Sequence, residues 1–310
     1  MRKIPVIMDC DPGHDDAIAM ILACASDKLD VRAITTVGGN QTVAKTTNNA
    51  LRMLTFMNKQ IPVAKGADRP MRRELEIAPE VHGDSGLDGP FIPEATQKAL
   101  DINAYELMAK VVEESEDKVT LVPTGPLTNI AIFLLSYPHL KSKIERISLM
   151  GGSAIGGNWT AAAEFNILVD PEAADIVFRS GIPITMSGLD VTHKAQVYPE
   201  DIEKIRSQGG KVAILVAELL EYFIKFHKEI CGWDFAPLHD PCAIAWLINP
   251  DMFKSKKLNV QIDIDGEHTT GCTVTDFLNR FELEPNTDVL LDVDRHQFID
   301  MIVEAVNKYH

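Results

Sequence analysis

The sequence predicts an α/β fold with a doubly wound, mostly parallel sheet. Two observations favour this class. Short apolar runs of strand length alternate with segments of helix length over roughly the first 190 residues. Several of these runs also end in polar residues, and the ligand sites of open α/β sheets lie beside the carboxyl ends of the strands.

The composition is that of an ordinary globular protein, with 310 residues, 45% hydrophobic and 24% charged. The formal net charge of -15 argues against binding to a nucleic-acid backbone, which requires clustered Lys and Arg. The five cysteines form no CxxC pair and are odd in number, so they indicate neither a disulfide framework nor a zinc site. We therefore expect a cytoplasmic protein.

No targeting or membrane segment is predicted. The apolar run after Met1-Arg2-Lys3 is too short for a signal peptide. The longest apolar helix candidate, residues 212–224, contains Glu218 and Glu221 and should not span a bilayer.

The first turn of the chain holds four carboxylates within eight residues. Residues 4–8 are a predicted strand, the sequence Asp9-Cys10-Asp11-Pro12-Gly13-His14-Asp15-Asp16 follows, and residues 17–25 are a predicted helix. Carboxylates this close repel one another unless a cation lies between them or some are protonated, and hard cations such as Ca²⁺ or Mg²⁺ take such ligands. The alternative is that Asp15 or Asp16 only caps the helix. An EF-hand is excluded, because a strand precedes the acidic residues.

The later elements continue the alternation. Further strands are predicted at residues 31–37, 61–64, 119–122, 147–150, 182–186, 257–264, 273–274 and 289–293. Further helices are predicted from the cap Thr42 to residue 57, from the cap Asn103 to 114, over 127–135, from Asp170-Pro171, over 199–207 and 211–228, from His239-Asp240-Pro241 to 247, and after Asp294. We predict a single domain over residues 1–310, with a doubly wound core at 1–190 and added helices and strands at 191–310 that complete the pocket.

Three irregular segments carry candidate functional residues. Residues 65–93 form a long loop with His82, which is the group there that would titrate near neutrality. The glycines of residues 151–158 match neither a P-loop nor the dinucleotide fingerprint. Residues 163–167, if extended, put Glu164 and Asn166 on one face, where an acid and an amide suit sugar hydroxyls, although both could be solvated loop groups.

The joint order of these motifs along the chain resembles the nucleoside hydrolase family, in its inosine- and uridine-preferring ribonucleoside hydrolase branch. The resemblance covers nearly the whole chain. It is carried by the acidic turn at residues 9–16, Gly39-Asn40, His82-Gly83, Val122-Pro123-Thr124-Gly125-Pro126-Leu127-Thr128-Asn129, Met150-Gly151-Gly152, Glu164-Phe165-Asn166 and His239-Asp240.

The resemblance implies calcium-dependent hydrolysis of the N-glycosidic bond of ribonucleosides, giving free base and ribose in nucleoside salvage. By resemblance, Asp11, Asp16, Asp240 and the carbonyl of Thr124 hold Ca²⁺, together with a water and the ribose 2′ and 3′ hydroxyls. Asp11 matches the general base that deprotonates this water. His239 matches the acid for the leaving base.

The remaining substrate contacts implied by the resemblance lie at positions that hold the ribose or line the base pocket. They are Asp15, Asn40, His82, Met150, Asn158, Glu164, Phe165 and Asn166. The histidines favour uridine, inosine or cytidine as substrates, while Trp233 leaves base stacking open. Phe223, His227 and Cys231 fall where base selectivity is set, without indicating a preference. Family members are commonly homodimers or homotetramers, so we expect a homo-oligomer with no nucleic-acid or membrane partner.

Three alternatives remain open. The first is a hydrolase that prefers purine or modified nucleosides. The second is a calcium-dependent nucleoside-binding protein without turnover, against which stands the intact set of Asp11, Asp16 and Asp240 together with His239. The third is a magnesium-dependent phosphoryl-transfer enzyme with Asp9 or Asp11 as nucleophile, which would need a basic phosphate clamp.

Overall fold

The fold is built on one nine-stranded sheet. A computed structural model describes residues 2–309. Met1, part of the predicted N-terminal segment, and His310, the last residue of the predicted 1–310 domain, lie outside the described residues. The strands of this sheet are β1 (Ile4–Cys10), β2 (Leu29–Thr36), β3 (Val63–Lys65), β4 (Val119–Pro123), β5 (Ile144–Met150), β6 (Ile184–Ser187), β9 (Phe253–Ile262), β10 (Thr273–Asp276) and β11 (Thr287–Val293). Strands β7 (Gln196–Val197) and β8 (Ala236–Pro237) pair separately.

The sheet is mostly parallel, which confirms the predicted fold class. Its strand order is β10-β9-β11-β6-β5-β4-β1-β2-β3, and β9 runs antiparallel to both of its neighbours. The chain order reverses between β1 and β4, which pair directly. This reversal leaves a crevice at the carboxyl ends of β1 and β4, where doubly wound folds place their ligands.

Helices cover both faces of the sheet. They are α1 (His14–Ala25), α2 (Val43–Phe56), α3 (Pro79–His82), α4 (Ala104–Glu114), α5 (Thr128–Ser136), α6 (Phe165–Val169), α7 (Pro171–Phe178), α8 (Leu189–Thr192), α9 (Pro199–Arg206), α10 (Gly210–Cys231), α11 (Pro241–Ile248) and α12 (Arg295–Asn307). Short 3-10 helices occupy Pro138–Lys143 and Pro250–Met252. Within residues 2–309, no helix is both long and apolar enough to cross a membrane.

Strand β1 shows why an unbroken apolar run folds as a central strand. Val6 and Met8 pack into the core on one face of the sheet, with α1, α10 and α11. Ile7 packs into the core on the other face, with α4, α5 and α7. Successive side chains of a strand point to opposite faces, so a strand buried on both faces needs apolar residues at every position.

Helix α1 begins three residues earlier than predicted. It starts at His14, with Gly13 as N-cap, so Asp15 and Asp16 lie in its first turn. An Asp16 carboxylate oxygen accepts a hydrogen bond from Gly13 N at 3.0 Å. Capping therefore accounts for one oxygen of Asp16, and the other acidic residues of the turn need another explanation.

The expectation of an extended segment at residues 163–167 is wrong. Glu164 is the N-cap of α6, and its carboxylate accepts from Asn166 N at 3.0 Å and Ile167 N at 3.4 Å. The segment folds as a helix because the Glu164 side chain accepts hydrogen bonds from the free N–H groups at the helix start. This stabilisation exceeds the weak preference for a strand that alternating residues provide over only five positions. The predicted loop at 65–93 likewise contains the short helix α3.

Candidate active site

The main cavity lies at the carboxyl ends of β1 and β4 and has a volume of about 490 Å³. A cavity of this size suits a small molecule such as a nucleoside. One end, which we call the carboxylate end, is lined by acidic and amide side chains together with Thr124, Met150 and Phe165. The acidic and amide residues are Asp15, Asn40, Asn158, Glu164, Asn166 and Asp240. Histidines and aromatic rings line the other, which we call the base end: His82, His193, Phe223, Phe226, His227, Trp233 and His239.

Asp11 lies behind the floor of the carboxylate end, fully buried. Its Oδ2 accepts a hydrogen bond from Asn40 N at 2.7 Å. Its Oδ1 is buried without a hydrogen-bond partner among residues 2–309. A Cβ added to Gly39 or Gly125 would overlap this carboxylate, so the two glycines form a slot that fits it.

Three further carboxylates meet beside Asp11. Oxygens of Asp15, Asp16 and Asp240 lie within 4.8 Å of one another, and Asp11 is not part of this group of three. Burial, followed by repulsion from neighbouring carboxylates, raises the pKa of Asp11 and Asp240 well above the ordinary value. The same two causes raise the pKa of Asp15 to about 7. The pKa of Asp16 is also raised, by burial.

The donor set fits a hard divalent cation. All four acidic side chains offer oxygen, and Asp11 Oδ1 is an unpartnered buried carboxylate oxygen. Thr124 donates its hydroxyl to Asp16 at 2.8 Å, which fixes that carboxylate, and its carbonyl accepts from Asn166 Nδ2 at 2.8 Å. Oxygen ligands at this density are what Ca²⁺ or Mg²⁺ requires.

The predicted sugar-binding residues are held by one another. Glu164 accepts from Gly152 N at 2.8 Å, besides capping α6. Asn166 Nδ2 donates to the carbonyls of Thr124 and Met150, and Asn158 Oδ1 accepts from Phe165 N at 3.1 Å. These contacts preorganise the acceptors and donors of the carboxylate end.

The histidines of the base end are neutral. Burial lowers the pKa of His82 and His239 well below the ordinary value, and lowers that of His227 to about 4. His239 Nδ1 lies 2.8 Å from the Thr192 hydroxyl, which orients the ring. Near pH 7 these rings therefore act as hydrogen-bonding groups rather than as stored positive charge.

The structure brings together residues that the sequence reasoning missed. His193 lines the cavity, with its ring centroid 5.8 Å from that of His239 and 5.4 Å from that of Trp233. Its position shortly after β6 ends was the available signal. Trp159 also lines the cavity and donates to Glu76 at 2.6 Å.

The aromatic wall contains four residues whose roles were open: Phe223, His227, Cys231 and Trp233. Phe223 and His227 meet edge to face with centroids 4.5 Å apart, and His227 stacks on Trp233 at 5.9 Å. Cys231 lines the cavity at the end of α10. Trp233 therefore belongs to a stack of rings at the wall of the base end.

The cavity gives no support to phosphoryl transfer. Of the residues that line it within the described chain, none is Lys or Arg. Asp9 does not line it, and instead accepts hydrogen bonds from Thr35 and Asn129. A phosphate group would find no basic clamp there.

Comparisons with known proteins agree with this geometry. The sequence model of the family described as "Inosine-uridine preferring nucleoside hydrolase" matches residues 6–300. The chain is 57% identical to the pyrimidine-specific ribonucleoside hydrolase RihA of Photobacterium profundum, over 98% of this chain and 99% of that protein. It is 54% identical to RihA of Escherichia coli K12, over 99% of both chains.

Solved structures show the same fold. A plant nucleoside hydrolase, PpNRh1, superimposes with a TM-score of 0.93 at 32% identity, over 99% of both chains. The purine-preferring ribonucleoside hydrolase of Gardnerella vaginalis superimposes with a TM-score of 0.92 at 31% identity, over 98% of both chains.

Proposed function

Because the chain belongs to the inosine-uridine preferring nucleoside hydrolase family, and is thus an N-ribosyl hydrolase, we propose that it cleaves pyrimidine ribonucleosides, uridine and cytidine first, with calcium. The observation that carries the proposal is the two-ended cavity. Buried carboxylates and amides at one end suit a ribose and a cation, and neutral histidines and aromatic rings at the other suit a planar base.

The proposed ligands of the cation are Asp11, Asp16, Asp240 and the carbonyl of Thr124, with Asp15 close to Asp16 and Asp240. When bound, a hard divalent cation supplies positive charge that offsets the carboxylates, makes a nearby water more acidic and attracts ribose hydroxyls.

Asp11 is the proposed general base. Asn40 N and the slot between Gly39 and Gly125 hold its carboxylate in one orientation, and Oδ1 stays free to take a proton from the attacking water. The negative charge of the neighbouring acids also stabilises the oxocarbenium-like transition state of glycosidic cleavage.

The amides and Glu164 are the proposed ribose contacts. Asn40, Asn158, Glu164 and Asn166 line the cavity, and hydrogen bonds fix each of them. Glu164 accepts from Asn166 N, and Asn166 Nδ2 donates to Thr124 O. Asn158 accepts from Phe165 N, and Asn40 Nδ2 donates to Asp16. Buried polar groups made to pair with hydroxyls reject analogues that lack them, by up to about 10⁴-fold. Deoxyribonucleosides are therefore expected to be poor substrates.

The sequence resemblance gives His239 as the acid for the departing base, and because burial favours its neutral form we propose that it assists by donating a ring N–H hydrogen bond as the glycosidic bond breaks. Thr192 supports this proposal, since its hydroxyl fixes the ring from the Nδ1 side. The pyrimidine preference is supported by the relatives at 57% and 54% identity, whose names specify pyrimidines, whereas the purine-preferring neighbour is 31% identical.

We also propose that the chain folds as one domain and forms a cytoplasmic homo-oligomer. Strands β9, β10 and β11 of the C-terminal part extend the same sheet as β1 to β6, which supports one domain. Leu278, Phe281 and Leu283 are exposed apolar side chains that would suit a subunit contact.

The decisive experiment measures release of free base and of free ribose from uridine, cytidine, inosine, adenosine and deoxyuridine, before and after calcium is removed by a chelator and then restored. We expect release of both products from uridine and cytidine, lost without calcium and regained with it. Faster release from inosine or adenosine would overturn the pyrimidine preference. Binding of uridine without release by calcium-loaded protein would indicate the non-catalytic nucleoside-binding alternative.

A further inference from the structure

Asp9 is an acid of the N-terminal turn that is fully buried behind the cavity rather than in its lining. It lies at the end of β1, beside Thr35 of β2 and Pro123 of β4. Its Oδ1 accepts hydrogen bonds from Thr35 Oγ1 at 2.7 Å and from Asn129 Nδ2 at 2.8 Å. Its Oδ2 has no hydrogen-bond partner in the described part of the chain. Burial of a carboxylate in this way costs free energy, so the contacts that Asp9 does make need an explanation.

Asn129 extends the contact from Asp9. It lies in the first turn of α5 and is also fully buried, and we call Asp9 and Asn129 the buried pair. Asn129 Nδ2 donates to Asp9 and, at 3.0 Å, to the carbonyl of Thr36, while its Oδ1 accepts from Ala67 N at 2.9 Å. A backbone N–H only donates, so the amide can take only this orientation. A Cβ on Gly66 would overlap the amide, which shows how closely this segment approaches it.

Ala67 connects the buried pair to the slot that holds Asp11. The carbonyl of Ala67 accepts a hydrogen bond from Gly38 N at 3.0 Å. The next residue, Gly39, leaves room for the Asp11 carboxylate, and the one after it, Asn40, donates its N–H to Asp11 Oδ2 at 2.7 Å. Hydrogen bonds and peptide links therefore form a continuous path from the buried pair to the backbone that contacts Asp11.

We infer that Asp9 and Asn129 are positioning residues for Asp11, the proposed general base. They act through residues 66–67 and the backbone of residues 38–40. This inference rests on the proposed function for the role of Asp11. Neither member of the buried pair is among the described residues that line the cavity, so neither contacts the substrate. Their effect comes from geometry, since a displacement of about 1 Å caused by a remote substitution can slow a reaction by about 10²-fold.

The first test breaks the path at each member of the buried pair. Asp9→Ala and Asn129→Ala should each lower kcat by about 10- to 100-fold, because Asp11 is no longer held in one position. Uridine and a nitrophenyl riboside should lose rate equally, and KM should change much less than kcat. The measurements are steady-state kinetics at saturating calcium and thermal unfolding. An unchanged kcat together with a lower unfolding temperature would show a purely structural role and overturn the inference.

Two further variants test whether the pair acts as a unit. The double variant should lose no more rate than the more damaging single variant, because both substitutions break the same path. Asp9→Asn keeps an acceptor oxygen for Thr35 and Asn129, and its amide nitrogen takes the place of the oxygen without a partner, so it should keep most of the kcat. Multiplied losses in the double variant, or a loss in Asp9→Asn as large as in Asp9→Ala, would contradict the positioning role.

Thr35→Val is the matched control. It removes the second hydrogen bond to Asp9 Oδ1 with little change in shape. The Thr35 hydroxyl donates to Asp9 and lies 3.3 Å from the carbonyl of Met8, away from the path that leads to Asp11. We therefore expect a lower unfolding temperature with kcat unchanged. A loss of kcat as large as in Asn129→Ala would show that any disturbance of Asp9 suffices, and the path through Asn129 would be wrong.

A measurement without substrate keeps this inference separable from the proposed function. Hydrogen–deuterium exchange over residues 38–40 should become faster in Asp9→Ala and Asn129→Ala and stay slow in Thr35→Val. If Asp9→Ala does not fold, Asn129→Ala carries the same prediction. Unchanged exchange over residues 38–40 would overturn the inference even if kcat fell. Failure of the unaltered, calcium-loaded protein to hydrolyse any nucleoside would instead overturn the proposed function, and the exchange would still report the path.

Discussion

The carboxylate end and the base end of the cavity are built in different ways. At the carboxylate end, Asp11 and Thr124 directly follow the adjacent strands β1 and β4, and Asp240 begins α11. At the base end, the histidines and aromatic rings come from loops, from the short helix α3 and from α10. The acidic part of the first end is therefore fixed by the sheet and the start of α11, with Asn158, Glu164 and Asn166 added from the loop before α6 and from α6 itself. The second end is fixed by the packing of segments distant in sequence.

This difference separates two kinds of chemistry. In the proposed function, every ribonucleoside presents the same ribose and the same glycosidic bond to the carboxylate end. The base end would then meet the part of the substrate that varies. A change at the carboxylate end should therefore slow all substrates alike, whereas a change at the base end should act according to the leaving group.

The largest effect is expected for Asp11→Ala. General bases contribute about 10²- to 10⁴-fold to rates, so turnover of uridine and of a nitrophenyl riboside should both fall by at least about 10²-fold. The measurement is kcat/KM on both substrates, with circular dichroism to show that the variant is folded. If a folded variant retained most of its rate, or lost it on only one substrate, the carboxylate end would not act on all substrates alike.

An intermediate and selective effect is expected for His239→Ala. Uridine hydrolysis should fall by about 10²-fold, because the base leaves without its donor, while the nitrophenyl riboside needs none. Thr192→Val keeps the shape of the side chain but removes the hydroxyl that orients His239. It should therefore slow uridine hydrolysis more than nitrophenyl riboside hydrolysis, with a smaller loss of rate than His239→Ala. Parallel losses on the two substrates would mean that His239 only positions the substrate.

The smallest effect is expected across the cavity mouth, where Glu76 accepts from Trp159 Nε1. This bond joins the loop before α3 to the glycine-rich loop, and an exposed pair contributes about 0.5–1.5 kcal/mol. Glu76→Ala should therefore raise KM for all nucleosides by about 2- to 10-fold with little change in kcat. Trp159→Phe keeps the edge-to-face contact with Phe165 and removes the same bond. If the effects of the two substitutions on KM added fully in the double variant, the two side chains would act independently and the hydrogen bond would not couple the loops.

The carboxylate end could be predicted from the sequence because strand ends are local signals. Asp11, Asn40 and Thr124 each follow an apolar run, and parallel strands bring such positions to one edge of the sheet. The positions of Asp16 and Asp240 at helix starts were likewise visible from capping patterns.

The base end could not be predicted in the same way. His193 and Trp159 reach the cavity through the packing of loops that carry no periodic pattern. One residue of the carboxylate end shares this difficulty: Glu164 was placed on an extended segment, because its role as a helix cap depends on where α6 starts. The contact between His14 Nδ1 and His82 Nδ1, at 3.2 Å, joins residues 68 positions apart in sequence, which only the fold brings together.

The arrangement of α10 has a practical consequence for redesign. Phe223, Phe226, His227, Ile230 and Cys231 reach the cavity from a single face of this helix. Ile230 and Cys231 are exposed at the rim, and no ring stacking ties them to the histidines. A small combinatorial library at these two positions should therefore retarget the enzyme toward synthetic nucleosides with enlarged bases while leaving the hydrolytic machinery intact.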